Sequence, residues 1–190
     1  MKNKLLVFLL FSFVLFSCKN EKQANDNNTS QESTAVVEHK GQAAVKDSES
    51  DANALQVAKS LDDFKTLVAA IEAAGVQDAV VNTGPLTVFA PVNAAFDKLP
   101  EGTVENLLKP ENKEQLAFVL KNHVAPANFP DTQLKKEAEK GRKLYMASGK
   151  YLDVVEKEDG LYVAGTKILK TVKVSNGWIH VIDNVLVPAE

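Results

Sequence analysis

No stretch of this chain limits its fold as much as Thr87 to Phe96, which reads TVFAPVNAAF. Val88 and Phe89, preceded by the β-branched Thr87, make a short apolar run between turn signals, the pattern of a buried strand. Pro91 removes a backbone donor and fixes φ, so the strand is predicted to stop there. Asn93 is placed to cap a following helical turn, because its side-chain oxygen can accept from the next free N–H groups. Phe96, three residues on, then returns to the core. A strand, a locked corner and a capped turn together set the direction in which the chain leaves its sheet.

A second stretch near the other end, Asn176 to Pro188, reads NGWIHVIDNVLVP, and between the two lies LKNHVAP, Leu120 to Pro126. In order, spacing and wording, the three segments resemble the signature boxes and central helix end of the fasciclin-like domain. The resemblance runs from Ala52 to Pro188. It implies an α+β fold with N-terminal helices packed on a wedge of small β-sheets. It also implies a non-catalytic binding function: adhesion to other cells, matrix or envelope polymers. Thr87, Phe89, Pro91, Asn93 and Phe96 in the first box, with Asn176, Gly177, His180 and Asp183 in the second, are its structural motif. Where the family usually carries Tyr-His, this chain has Asn122-His123. That position belongs to a structural core motif which some animal members also use in adhesion, so Asn122 and His123 are the candidate binding residues.

The first residues carry a different message. Met1 to Lys4 is short and basic, and Leu5 to Phe16 is apolar except for Ser12. The run is shorter than the roughly 20 residues that span a bilayer and has the layout of a secretory signal. It ends in Leu15-Phe16-Ser17-Cys18, which resembles the lipobox of bacterial lipoproteins. That resemblance implies a signal peptide over residues 1–17, cleavage before Cys18 and lipid on its thiol. The chain would then be anchored in the cell envelope, at the outer membrane. Cys18 is the one cysteine of the chain, and an odd cysteine in an exported protein calls for such an explanation. The following residues, to Asp51, are rich in Asn, Gln, Ser, Thr, Lys, Glu and Ala and contain no aromatic residue. Such a segment buries too little apolar surface to offset its ordering entropy and is expected to be a disordered tether over residues 18–51. A leash of about 33 residues would span roughly 30 Å. Residues 52–190 are about one domain's worth of chain.

Within that domain, Ser60 and Asp63 resemble a capping box. Leu61, Phe64, Leu67, Val68 and Ile71 follow at helical spacing, with Gly75 as the stop. Val76 to Val81 reads as a further short helix. Asn112 and Gln115 suggest another cap, ahead of a helix carrying Leu116, Val119, Leu120 and Val124 on one face and ending at Pro126. His123 falls on that stripe. A histidine so placed reads either as a core residue satisfied by a backbone partner or as a contact residue. From Lys143 the period changes to two: Leu144 and Met146 alternate with Tyr145, and strands are predicted over Tyr151–Glu156, Leu161–Ala164, Ile168–Val174, Trp178–Ile182 and Val185–Val187. Asp159-Gly160 and Asn176-Gly177 read as type I′ hairpin turns. Helices first and strands later indicate an α+β domain.

Catalytic patterns are few. His39 lies in the tether, leaving His123 and His180, and the chain has no G-x-S-x-G, H-E-x-x-H or G-x-G-x-x-G. Ser148, His180 and Asp183 could form a triad on paper, but His180 and Asp183 stand three apart on one strand and point to opposite faces. A second thiol is absent, which argues against a dedicated zinc site, and no cofactor is expected. Lys135, Lys136, Lys140, Arg142 and Lys143 are interleaved with Glu137 and Glu139. They read as a solvated helical face, with contact to an anionic polymer as the other reading. Net charge is −3, which makes no electrostatic case for nucleic acid. The expected function is therefore non-catalytic binding to a cell-surface or matrix protein or polysaccharide, from a membrane held through the N-terminal lipid. A module for a small molecule or polysaccharide is the alternative, and a hydrolase the weakest reading.

Overall fold

A computed structural model describes residues 52–81 and 84–188. The expected signal peptide, Cys18 and the expected tether lie outside the described residues. Helices α1 (Ala54–Ser60), α2 (Lys65–Ala74) and α3 (Gln77–Val81) precede strand β1 (Leu86–Pro91). Helices α4 (Asn93–Phe96), α5 (Thr103–Leu107) and α6 (Lys113–Lys121) lead to the short β2 (Val124–Ala125), and α7 (Asp131–Glu139) follows. Strands β3 (Lys143–Tyr145), β4 (Tyr151–Lys157), β5 (Gly160–Val163), β6 (Thr166–Val174) and β7 (Gly177–Ile182) complete the α+β domain.

The strands run in the order β2-β1-β7-β6-β5-β4-β3. Strand β1 ends at Pro91 as its sequence predicts, and it lies parallel to β7 from Leu86 opposite Gly177 to Pro91 opposite Ile182. The two signature boxes are thus neighbours, near the β2 end of the sheet. Strand β6 joins two small leaves: Thr166 and Lys167 pair with β5, whereas Ile168 to Val174 pair with β7 across a register shift at Ile168/Lys170. Such irregularities bend a strand.

The period of two along β1 and β7 sorts their side chains into two cores. Val88, Ala90 and Ile179, with Val181 alongside, meet α1, α2, α3 and α6 through Leu55, Leu67, Ile71, Val80, Leu116 and Leu120. Phe89 and Ile182 point the other way, toward Leu134 of α7 and Leu144, Val154, Leu161 and Val163 of the outer strands.

Several local expectations are corrected. Ser60 and Asp63 do not form a capping box; the Ser60 hydroxyl bonds back to Val57 O at 2.8 Å, and α2 starts only at Lys65. The real capping box is Asn53 with Gln56. Asn112 makes no side-chain cap; its amide donates to Asn106 O. Asn93 lies inside α4, whose N-cap is Val92. Its side chain serves α2 instead, accepting from Thr66 N at 3.0 Å and donating to Asp62 O at 2.8 Å. Val124 belongs to β2, not to the helix before it. The Asp-Gly and Asn-Gly pairs are not the central residues of type I′ turns either. Gly160 and Gly177 already start their strands, and neither Asp159 nor Asn176 has positive φ. Positive φ at both central positions occurs at Ala164 and Gly165 (46° and 78°), between paired Val163 and Thr166.

Candidate functional site

Each residue of the first box has a structural task. Phe89 is fully buried and stacks on the His180 ring at 5.3 Å between centroids, while its N–H donates to His123 O. The buried Thr87 hydroxyl donates to Ala127 O (2.8 Å) and accepts from Phe129 N (2.9 Å), holding the segment before α7 against the sheet. Phe96 is partly buried against the helical core.

In the second box, Asn176 accepts from Ala54 N at the start of α1 and donates to Val80 O in α3. Its carbonyl accepts from Leu86 N. Gly177 is required by close approach: a Cβ there would overlap the Leu86 carbonyl, and its φ of 144° is one that L side chains rarely adopt. Asp183 is half exposed and pairs with Lys98, whose ammonium also donates to the Asp183 carbonyl at 2.6 Å.

His123 and Asn122 are both buried, at 3% and 0% exposure, so neither presents its side chain to a partner. His123 Nδ1 lies 2.8 Å from Val119 O and therefore donates; Nε2 accepts from Leu186 N at 2.9 Å. Both partners suit the neutral ring. Burial pushes its pKa down to about 4, opposed by the Val119 carbonyl. Asn122 donates to Leu186 O (3.0 Å) and accepts from the Ser148 hydroxyl (2.8 Å). The pair therefore clamps the end of α6 to the segment after β7 and to the β3–β4 turn, a packing role.

His180 is the second buried histidine. Its Nε2 donates to Phe129 O at 2.7 Å, and Nδ1 faces the Thr171 hydroxyl at 2.9 Å. That hydroxyl also lies 2.6 Å from Asp131 Oδ1. It has one proton for two acceptors, so Nδ1 and Asp131 compete for it while the ring is neutral. Burial lowers the His180 pKa, against the opposing pull of the Phe129 carbonyl and Asp131. The paper triad does not assemble: Ser148 is bound to Asn122, His180 to Phe129 and Thr171, and Asp183 to Lys98. A cavity of about 190 Å³ lies between α1, α2 and the sheet, lined by apolar residues with Asp63 and Lys170, and neither histidine lines it.

The fasciclin domain family model matches residues 62–188. This chain is a member of the fasciclin domain family. Protein sll1483 of Synechocystis is 42% identical over 135 residues, covering 70% of this chain and 72% of that protein. The pig transforming growth factor-beta-induced protein ig-h3 is 36% identical over 138 residues, which cover 70% of this chain but 19% of that much longer protein. The solved structure of a FAS1 domain pair from the insect cell adhesion molecule Fasciclin I superposes with a TM-score of 0.65 at 19% identity. That match covers 72% of this chain and 51% of that one, and it shows that the fold is shared.

Sequence reasoning missed one feature of this fasciclin domain. Tyr145 and Tyr151, opposite each other on β3 and β4, are 49% and 62% exposed with ring centroids 5.3 Å apart. The signal was present: both tyrosines occupy the outward positions of alternating strands whose inward positions are Leu144, Leu152 and Val154.

Proposed function

We propose that this fasciclin domain is a non-catalytic adhesion module, carried on the bacterial cell envelope by lipid on Cys18 and a tether over residues 18–51. Its partner would be a cell-surface, matrix or envelope polymer. The observation that carries the reading is the family match over residues 62–188, in a family some of whose animal members act in adhesion. The packing supports a rigid presenting domain, because polar motif residues such as Thr87, Asn122 and His180 are buried and bonded inside. Hydrolysis is not favoured, since Ser148, His180 and Asp183 belong to three separate hydrogen-bond sets.

The experiment is attachment of cells that carry the chain against cells that carry a variant lacking residues 52–190, with surface amounts matched. Attachment that depends on the domain is expected, and equal attachment by both would overturn the reading. The lipid part has its own test. Labelling with a radioactive fatty acid should mark the wild-type chain and leave Cys18→Ala unlabelled.

A further inference from the structure

The three tyrosines of the chain all lie on the solvent-facing side of the β3–β4–β5 leaf. Tyr145 pairs with Tyr151 and Val155 with Tyr162, and residues paired across strands share a face. The alternate positions Leu144, Val154, Leu161 and Val163 are buried on the opposite side. The fold therefore has no packing use for the outer rings, yet two of them lie together in water. Clustered exposed aromatics of this kind mark contact surfaces.

We infer that this face binds a neutral polysaccharide strand, a partner class that rests on the adhesion reading above and makes it specific. Two observations select that occupant. The first is charge. Lys143 pairs with Asp153 at 3.1 Å and Lys167 with Asp159 at 2.8 Å, while the Lys157 ammonium lies 4.0 Å over the Tyr162 ring. Two of these three ammonium groups are answered by carboxylates and the third lies over a tyrosine ring, so the face offers no cluster of like charge for a strongly charged polymer. The neighbouring Lys135 is likewise held by Glu156 at 2.6 Å.

The second is the kind of surface left over. Tyrosine faces carry negative quadrupole potential and attract the polarised C–H groups of a sugar ring. The ammonium and carboxylate groups beside them supply donors and acceptors for hydroxyls. A protein partner would ask for an anchor pocket inside a continuous apolar core, whereas here the apolar continuation is the half-exposed Val155. Tyr145 and Tyr151, their rings inclined at 57°, form an angled aromatic pair that can meet the polysaccharide strand from two sides. Tyr162 flanks it, with its hydroxyl held by Asp159 at 2.8 Å and its ring covered by Lys157.

The test is native electrophoresis of the full chain, in detergent, through gels containing hydroxyethyl cellulose, glucomannan or a soluble β-glucan, with alginate as the anionic control. At least one neutral gel should retard the wild type, and alginate should not. The double variant Tyr145→Ala/Tyr151→Ala should lose at least tenfold in affinity while melting as the wild type does, and Tyr145→Phe/Tyr151→Phe should keep most of it. No retardation by any neutral gel, retardation by alginate alone, or unchanged retardation of the double alanine variant would each overturn the inference. Cell attachment separates the two readings. If the double alanine variant is retarded as the wild type is and cells carrying it still attach, the glycan face is wrong and adhesion stands. If the gels respond as expected but the wild type attaches nothing, the glycan face stands and the adhesion reading falls.

Discussion

The β1–β7 pair and the β3–β4–β5 leaf lie toward opposite ends of the sheet and both send successive side chains to opposite faces, yet they use those side chains differently. Along β1 every residue from Leu86 to Pro91 is buried, because helices cover one face and α7 with the outer strands covers the other. Polar groups there are answered internally, by Thr87 on Ala127 and Phe129 and by His180 on Phe129. Along β4 the outward residues Tyr151, Asp153 and Val155 are exposed and Val154 is buried. The buried residues of the two signature boxes build the domain, whereas the outward side chains of β4 face solvent.

The contrast is broken most severely at Gly177. Replacing it by alanine drives a Cβ into the Leu86 carbonyl at a φ unsuited to L side chains. The expected cost exceeds about 4 kcal/mol, in the range of the largest single-site effects. Circular dichroism melts would show it, and a variant melting like the wild type would mean that the β1–β7 approach relaxes freely.

His123→Ala comes next, since it removes buried volume and leaves Leu186 N without its acceptor, whereas Val119 O keeps the Asn122 N–H. About 3–5 kcal/mol is expected, read as a lower midpoint in urea. A normal midpoint with lost attachment would restore His123 as a contact residue.

The same histidine predicts a pH dependence. Its folded pKa of about 4 lies below the usual 6.5, so between those values the unfolded chain binds more protons. Stability should therefore be fully present above about pH 6.5 and fall as the pH drops toward 4, by about 3 kcal/mol. His180, also lowered by burial, acts in the same direction. Urea midpoints at pH 7.5, 6 and 4.5 check the sign, and a flat profile in His123→Gln would assign the larger share to this residue.

Asn93→Ala should cost about 1 kcal/mol, the typical loss of an N-cap, although the helix it caps is α2 rather than its own. Exchange of the first α2 amides should quicken, with Thr66 the most affected. An unchanged Thr66 amide would remove the remote cap. The smallest effect belongs to the leaf: Tyr151→Ala, at a 62% exposed position, should shift stability by no more than about 0.5 kcal/mol. A larger drop would show that the tyrosine pair holds the β3–β4 hairpin together.

Much of this domain follows from its sequence alone. The α+β class, the strand ending at Pro91, the left-handed stop at Gly75 (φ 68°) and the alternation of β3 and β4 are local, and local sterics and hydrophobic period suffice to write them. The resemblance carried by TVFAPVNAAF and NGWIHVIDNVLVP was equally legible in the order of residues. What the sequence could not decide was the partner of each polar group. Ser60, Asn93 and Asn112 all look like caps, yet Ser60 bonds back into its own helix, Asn93 caps another and Asn112 caps none, while the capping box falls to Asn53. The choice depends on which backbone donors lie nearby in space. The turns divided for a related reason. An Asp-Gly or Asn-Gly pair advertises positive φ at both residues, but only Gly160 and Gly177 take it and each already starts its strand, while Ala164 adopts it without advertisement because the paired strands on either side impose it. Burial of Asn122 and His123, and exposure of Tyr145 and Tyr151, were likewise settled by what packs on each face: the segment after β7 covers the first pair, and no described element packs over the second.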